Sequence, residues 1–209
     1  MTDIVGVVLA GGLATRMGGG DKCLKELVAG VTLLDVVMGR LKRQVGEVAI
    51  NANGEPSRFA KFDCPVLADD VKGYAGPLAG VLAGLEWAAD FGATHVLSVA
   101  GDTPFFPDNL NVELSAAKGV SGLSIAASHD EDGKLWRQPT FGLWPVALKD
   151  DLRHALCVDG VRKIVIWTQK HQAGQAVFST ENGIDPFFNV NTPDDLAAAQ
   201  KIASERGLL

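Results

Sequence analysis

The sequence is poor in the features that mark secreted, membrane-embedded or nucleic-acid-coating proteins. Among 209 residues there are three cysteines, Cys23, Cys64 and Cys157. They are odd in number and lack CxxC spacing, so neither a disulfide framework nor a zinc site is expected. Reduced thiols in a cytoplasmic protein are the simpler expectation. No apolar run approaches the ~18 residues of a membrane span. Met1-Thr2-Asp3 carries no basic n-region, so no signal peptide is expected. Basic residues do not predominate either: 19 against 25 acidic ones give a formal charge of −6. A broad surface for nucleic acid or an anionic membrane is therefore not expected, and any phosphate binding must come from local charge. Internal repeats, low-complexity tracts and linkers are absent. With 47% hydrophobic residues, a chain of this length can bury one substantial core, and a single domain over residues 1–209 is expected.

What is present begins at Val7-Val8-Leu9, an apolar run that breaks into Ala10-Gly11-Gly12, Arg16, Gly18-Gly19-Gly20, Asp21 and Lys22. This reads as a buried strand opening into a loop that holds phosphate. Gly11 and Gly12 permit positive φ and close approach, so that successive N–H groups can converge on an anion. Arg16 offers a forked grip on phosphate oxygens and Lys22 a compact point charge. From Gly11 to Lys25, three cations face Asp21 alone, a positive island on an acidic protein. Two familiar phosphate loops are excluded. Lys22 is followed by Cys23 rather than Ser or Thr, and Gly11-Gly12-Leu13 does not supply GxGxxG.

Downstream, Leu33, Leu34, Val36, Val37, Leu41 and Val45 predict an amphipathic helix over Thr32–Val45. Strands are expected at Val48–Ile50, Pro65–Leu67 and Thr94–Ala100, with a helix from Leu78 to Phe91 started by Pro77. Strand, helix and strand in succession predict a parallel sheet with right-handed crossovers. Each of these strands ends on polar residues, at the edge where open α/β sheets bind ligands. The second half predicts a helix over Asp108–Lys118 and strands at Leu123–Ala127 and Leu135–Trp144 around the turn Asp130-Glu131-Asp132-Gly133. Two further helices are expected, Val146–Leu156 and Val161–Gln169, the latter open to a strand reading on its β-branched content. A last helix follows Thr192-Pro193 and reaches Arg206.

Asp102 is the foremost candidate for chemistry. A carboxylate at the tip of a buried strand is costly to desolvate without a cation. Magnesium held by one or two carboxylates and triphosphate oxygens fits such scarce ligands, and a turn aspartate is the alternative. Asn51 and Asp69 end two other strands and either read a base or ribose or terminate the strands locally. Arg137, Gln138, Pro139 and Thr140 face a second substrate or form an edge strand with its proline. Asn189 and Asn191 share one side of an extended segment, able to bind a polar ring or phosphate or to cap the next helix. The DEDG tip reads as a solvated loop. Four scattered histidines have no nucleophile partner.

Leu9-Ala10-Gly11-Gly12, Arg16-Met17-Gly18, Asp21-Lys22, Asn51-Ala52-Asn53, Gly76-Pro77-Leu78-Ala79-Gly80, Asp102-Thr103-Pro104, Pro139-Thr140 and Asn189-Val190-Asn191-Thr192-Pro193 together resemble the molybdenum cofactor guanylyltransferases. The resemblance implies a Rossmann-like three-layer α/β/α nucleotidyltransferase fold with a mostly parallel sheet. It also implies transfer of GMP from GTP to the molybdopterin cofactor, with release of pyrophosphate. Leu9, Ala10, Gly11, Gly12, Lys22, Asn51, Asp69 and Asp102 would bind GTP, with Asp102 holding Mg2+ and Arg16 against the pyrophosphate. Asn189 and Asn191, with the basic pair Arg162 and Lys163, would serve molybdopterin in the C-terminal half. Gln138 stands where the family commonly has histidine, so proton transfer from that position is not implied. Presentation of the cofactor by a delivery protein stays open. Two rivals also stay open: a CTP-dependent enzyme acting on molybdopterin or a sugar or alditol phosphate, and a GTP-binding adaptor without catalysis.

Overall fold

The computed structural model describes residues 3–11, 20–71, 76–130, 132–180 and 183–205. Gly12, Arg16, Gly18 and Gly19 of the glycine loop, Gly73 to Ala75, Glu131 and Arg206 lie outside the described residues.

In chain order the elements are β1 (Ile4–Leu9), β2 (Glu26–Val28), β3 (Val31–Thr32), α1 (Leu33–Lys42), β4 (Val48–Asn51), β5 (Val66–Leu67), α2 (Pro77–Asp90) and β6 (His95–Ala100). There follow α3 (Leu110–Ala116), β7 (Ser124–His129), β8 (Leu135–Pro145), α4 (Lys149–Cys157), α5 (Ile164–Lys170), β9 (Gly174–Phe178) and α6 (Pro193–Glu205). Seven strands form one sheet in the order β5-β4-β1-β6-β8-β7-β9. β8 pairs antiparallel with both neighbours, and every other pairing is parallel. The expected α/β fold with a mostly parallel sheet is what the chain adopts.

Alternation along the strands builds a core on each face of the sheet. Val5 and Val7 of β1 pack with Leu78, Leu82 and Leu85 of α2 and, further along the sheet, Leu152 of α4 and Trp167 of α5. Val8 faces the other way, toward Leu34, Val37 and Leu41 of α1 and Leu110 and Leu114 of α3. Two glycines one turn apart on α2 let that helix lie close to the sheet. A Cβ on Gly84 would fall 2.7 Å from Val7 Cγ2, and one on Gly80 2.1 Å from Asn51 Oδ1. A third cluster joins Leu27 of β2 and Leu33 of α1 to Phe105, Val190, and Ala199 and Ala203 of α6. The last helix is thereby seated against the β2–β3 ribbon.

After β1 the chain adds β4 on one side and later β6 on the other, so β1 is the topological switch point. The carboxyl ends of β1, β4 and β6 therefore converge, which in open α/β sheets makes the ligand crevice.

Three local expectations are revised. β8 is interior rather than an edge strand, and Pro139 is accommodated because the register jumps between Ile125↔Gly142 and Ala126↔Gln138. The residues between bulge out of the ladder, where a missing N–H costs nothing. The Val161–Gln169 segment is helical, but only from Ile164, because Ile164 and Trp167 are spaced to bury one helical face against the sheet. β9, the far edge, was not expected from its short Gly174-Gln-Ala-Val-Phe run.

Candidate active site

The first carrier of the site is the carboxyl end of β1. Ala10 N donates to Asn51 O at 2.9 Å and Gly101 N to Leu9 O at 3.0 Å, so the start of the glycine loop is stitched to the ends of both neighbouring strands. Gly11, exposed at the lip, lies above the Asn51 side chain.

Lys22 opens a short 3-10 turn, Lys22–Leu24, which returns the chain to the crevice. Its Nζ lies 2.5 Å from Asp102 Oδ2 and donates to Asn191 Oδ1 at 2.7 Å. An early lysine, a strand-end aspartate and a late asparagine, far apart in sequence, thus meet at one point. The Lys22 and Asp102 side chains keep 14% and 19% of their surface open to solvent, so the pair is accessible to a ligand. An ammonium has three N–H donors, so Lys22 retains one beyond these two contacts. Leu9, Ala10, Lys22, Cys23, Gly101 and Asp102 line a small pocket here. Beneath it the Cys23 thiol is pushed up to about 12 by burial, with the carboxylates of Asp21 and Asp102 adding to the effect. That thiol stays protonated at neutral pH and is no nucleophile.

The second cluster forms where β4 and β5 end. The buried Asn51 side chain donates through Nδ2 to Leu67 O at 3.0 Å and Asp69 Oδ1 at 2.9 Å. Asn53 Nδ2 donates to the other oxygen of Asp69 at 2.8 Å, while Asp69 N donates to Asn53 Oδ1 at 2.9 Å. Asp69 is thereby fixed by two asparagines two positions apart on one side of an extended segment.

The second-substrate candidates are placed less uniformly. Val190 N donates to Asp102 O at 3.0 Å, which ties the Asn189–Asn191 segment to the loop after β6. Asn191 N and Thr192 N donate to Asp195 Oδ2 at 2.9 and 2.8 Å, and Thr192 Oγ1 accepts from Asp195 N at 3.1 Å. That reciprocal cap fixes the start of α6 and with it the Asn191 backbone. Asn189 is exposed. Arg162 turns away: its Nη1 donates to Leu156 O at 2.8 Å and Val161 O at 3.0 Å, which caps the end of α4. Lys163 is exposed at the start of α5. Gln138 donates to Ser128 Oγ at 3.1 Å. Of the residues named from sequence, Leu9, Ala10, Gly11, Lys22, Asn51 and Asp102 surround the crevice, with Asp69 held on Asn51 and Asn191 on Lys22.

Sequence reasoning missed Arg58. It lies in the 3-10 segment Pro56–Phe62, and its Nε is 2.7 Å from Asp21 Oδ2. No periodic pattern marks that segment, so nothing in the spacing pointed to it. Asn53, in the Asn-Ala-Asn run, was detectable from its alternation with Asn51.

Among the described residues no three His, Cys, Asp or Glu side chains gather as a metal site. One partly buried carboxylate, Asp102, suits a cation that takes most of its ligands from phosphate and water. No helix among the described residues is long and apolar enough to cross a membrane.

Residues 6–173 match the MobA-like NTP transferase domain. A molybdenum cofactor guanylyltransferase from Mesorhizobium japonicum is 46% identical over 203 residues, covering 96% of each chain. One from Rhodopseudomonas palustris is 47% identical, covering 94% of this chain and 92% of its own. Among solved structures, molybdopterin-guanine dinucleotide biosynthesis protein A from Archaeoglobus fulgidus superposes with a TM-score of 0.72 at 23% identity, over 97% and 99% of the two chains. A nucleotidyl transferase from Methanothermobacter superposes with a TM-score of 0.69 at 18% identity over 97% and 98%, a likeness of fold. By its sequence relatives and its domain, the chain belongs to the molybdenum cofactor guanylyltransferase family of nucleotidyltransferases.

Proposed function

We propose that the chain transfers GMP from GTP to the terminal phosphate of molybdenum-bound molybdopterin, forming the guanine dinucleotide and pyrophosphate. The single observation that carries the reading is the meeting of Lys22 with Asp102 at the mouth of a crevice bounded by the β1 loop.

A phosphate oxygen of the pterin attacks the α-phosphorus of GTP, the bond from that phosphorus to the β-bridging oxygen breaks, and pyrophosphate leaves. The protein contributes position and charge rather than a nucleophile. Leu9, Ala10, Gly11 and Gly12 contact the triphosphate, and Lys22 directs its remaining N–H at it. Arg16, which is outside the described residues, is assigned to the leaving pyrophosphate by the family resemblance. Asn51 and Asp69 read the nucleoside, their polar atoms pinned by Leu67 O and Asn53. Asp102 would hold Mg2+, which would supply charge compensation on the phosphate oxygens. Asn189, Asn191 and Lys163 serve the second substrate, while Arg162 braces the chain before Lys163 through Leu156 O and Val161 O, so that the two halves of one domain each supply one side of the reaction. The setting is cytoplasmic.

The test is incubation with GTP, Mg2+ and molybdenum-bound molybdopterin, with detection of the guanine dinucleotide and pyrophosphate. Asp102→Ala abolishes both products. Equal product with CTP, or GTP binding without pyrophosphate, overturns the assignment.

A further inference from the structure

We propose that Arg58 is a positioning residue of the triphosphate site. It neutralises Asp21, and so leaves the neighbouring Lys22 committed to Asp102 and to phosphate. The inference deepens the reading above and rests on Lys22 being the triphosphate lysine.

The Asp21 carboxylate lies immediately before Lys22, beside a pocket that has to accept several negative charges. Left unpaired, it would repel the triphosphate and compete with Asp102 for the ammonium. Arg58 answers it from the 3-10 segment Pro56–Phe62. The Nε-to-Oδ2 distance is 2.7 Å, and both side chains are about three-quarters buried. Among the described residues the Arg58 Nε–H makes no hydrogen bond, so the contact acts through charge. The fork of the guanidinium is used locally instead: Nη1 donates to Glu55 O at 2.7 Å and Nη2 to Asn53 O. The cation also lies 4.7 Å from the centre of the Phe59 ring. These contacts immobilise a positive charge opposite Asp21. Because one of them is to Asn53, whose side chain orients Asp69, the same residue spans the lysine turn and the Asn51–Asp69 cluster.

The proposal separates charge from scaffold experimentally. Affinity of the full chain for GTP with Mg2+ is measured by calorimetry, with GMP as the comparison ligand and thermal unfolding as the check on folding. Arg58→Ala weakens GTP by about tenfold and GMP by less, since repulsion grows with phosphate charge. The defect shrinks in high salt. Adding Asp21→Asn to Arg58→Ala restores most of the GTP affinity by removing the unpaired charge. Arg58→Lys, which keeps the charge but not the fork, stays within about threefold of the wild type and serves if the alanine variant does not fold. Three results would overturn the proposal: no rescue by Asp21→Asn, an Arg58→Lys as weak as Arg58→Ala, or a GTP affinity untouched by Arg58→Ala. Lys22→Ala is measured alongside. An unchanged GTP affinity there overturns the reading of Lys22 and this inference with it. A lost affinity there, with none lost in Arg58→Ala, overturns this inference alone.

Discussion

Gly80 stands against Asn51 so closely that a methyl group on its α-carbon would lie 2.1 Å from Asn51 Oδ1 and 2.9 Å from Leu9 Cδ2. In an exposed helix interior, Gly→Ala gains about 1 kcal/mol. Here the gain is reversed, because the added carbon displaces a buried amide that holds Leu67 O and Asp69. Overpacking of this kind costs about 1–3 kcal/mol. Gly80→Ala is expected to lower both the melting temperature and the affinity for GTP, read by thermal unfolding and calorimetry. A more stable variant with unchanged affinity would contradict the close packing.

Asn191 orients Lys22 through a 2.7 Å hydrogen bond. In Asn191→Ala the ammonium is held by Asp102 alone. GTP binding, measured without the second substrate, is expected to weaken about threefold to tenfold, in line with one hydrogen bond to a charged group at a partly open site. If Asn191 touched only the second substrate, GTP binding in its absence would not change.

Ser98 is fully buried in β6, donates to Thr140 O at 2.7 Å and accepts from Trp144 Nε1 at 2.7 Å. Ser98→Ala strands an indole N–H and leaves the bulge of β8 without its tether. A loss of about 2–4 kcal/mol is expected from one buried donor and one buried acceptor left unpaired. Denaturant unfolding measures it directly.

Asp151 on α4 accepts from Lys170 at 2.9 Å, His171 at 2.7 Å and Trp167 at 2.9 Å. Although burial works against it, the bonds from Lys170, His171 and Trp167 hold its carboxyl down to about 2. The folded value lies below the unfolded one of about 3.9. The stabilisation is therefore complete above pH ~4 and is lost as pH falls toward about 2. Asp151→Asn is expected to be less stable than the parent at pH 6 and to show a smaller decline between pH 4 and pH 2, followed by urea unfolding across that range.

The fold was legible where a physical period was long enough to read. Leu33 to Leu41 repeats as one helical face, and His95 to Ala100 has the apolar continuity of a strand covered on both sides. The convergence at the crevice was legible where polar side chains sat at strand ends, as with Asn51, Asp69 and Asp102. What escaped depends on contacts between segments. Arg58 reaches Asp21 only because Pro56–Phe62 folds back beside the Lys22 turn, and β9 is short enough that five residues carry little pattern. Ile164 and Val165 favour a strand by composition. Burial of Ile164 and Trp167 on the sheet decided for a helix, a tertiary preference overriding a local one.

The seating of α6 on the β2–β3 ribbon has a consequence for how the enzyme comes into being. Gln200 Nε2 donates to Glu26 O at 3.2 Å, and Leu27 shares its cluster with Ala199 and Ala203. The lysine turn that precedes the ribbon therefore gains these neighbours only once α6 and the segment before it have left the ribosome. A nascent polypeptide carrying the whole parallel half of the sheet would still lack Asn191, which holds the Lys22 ammonium, so the lysine turn is completed by the segment that leads into α6 rather than by the strands alone.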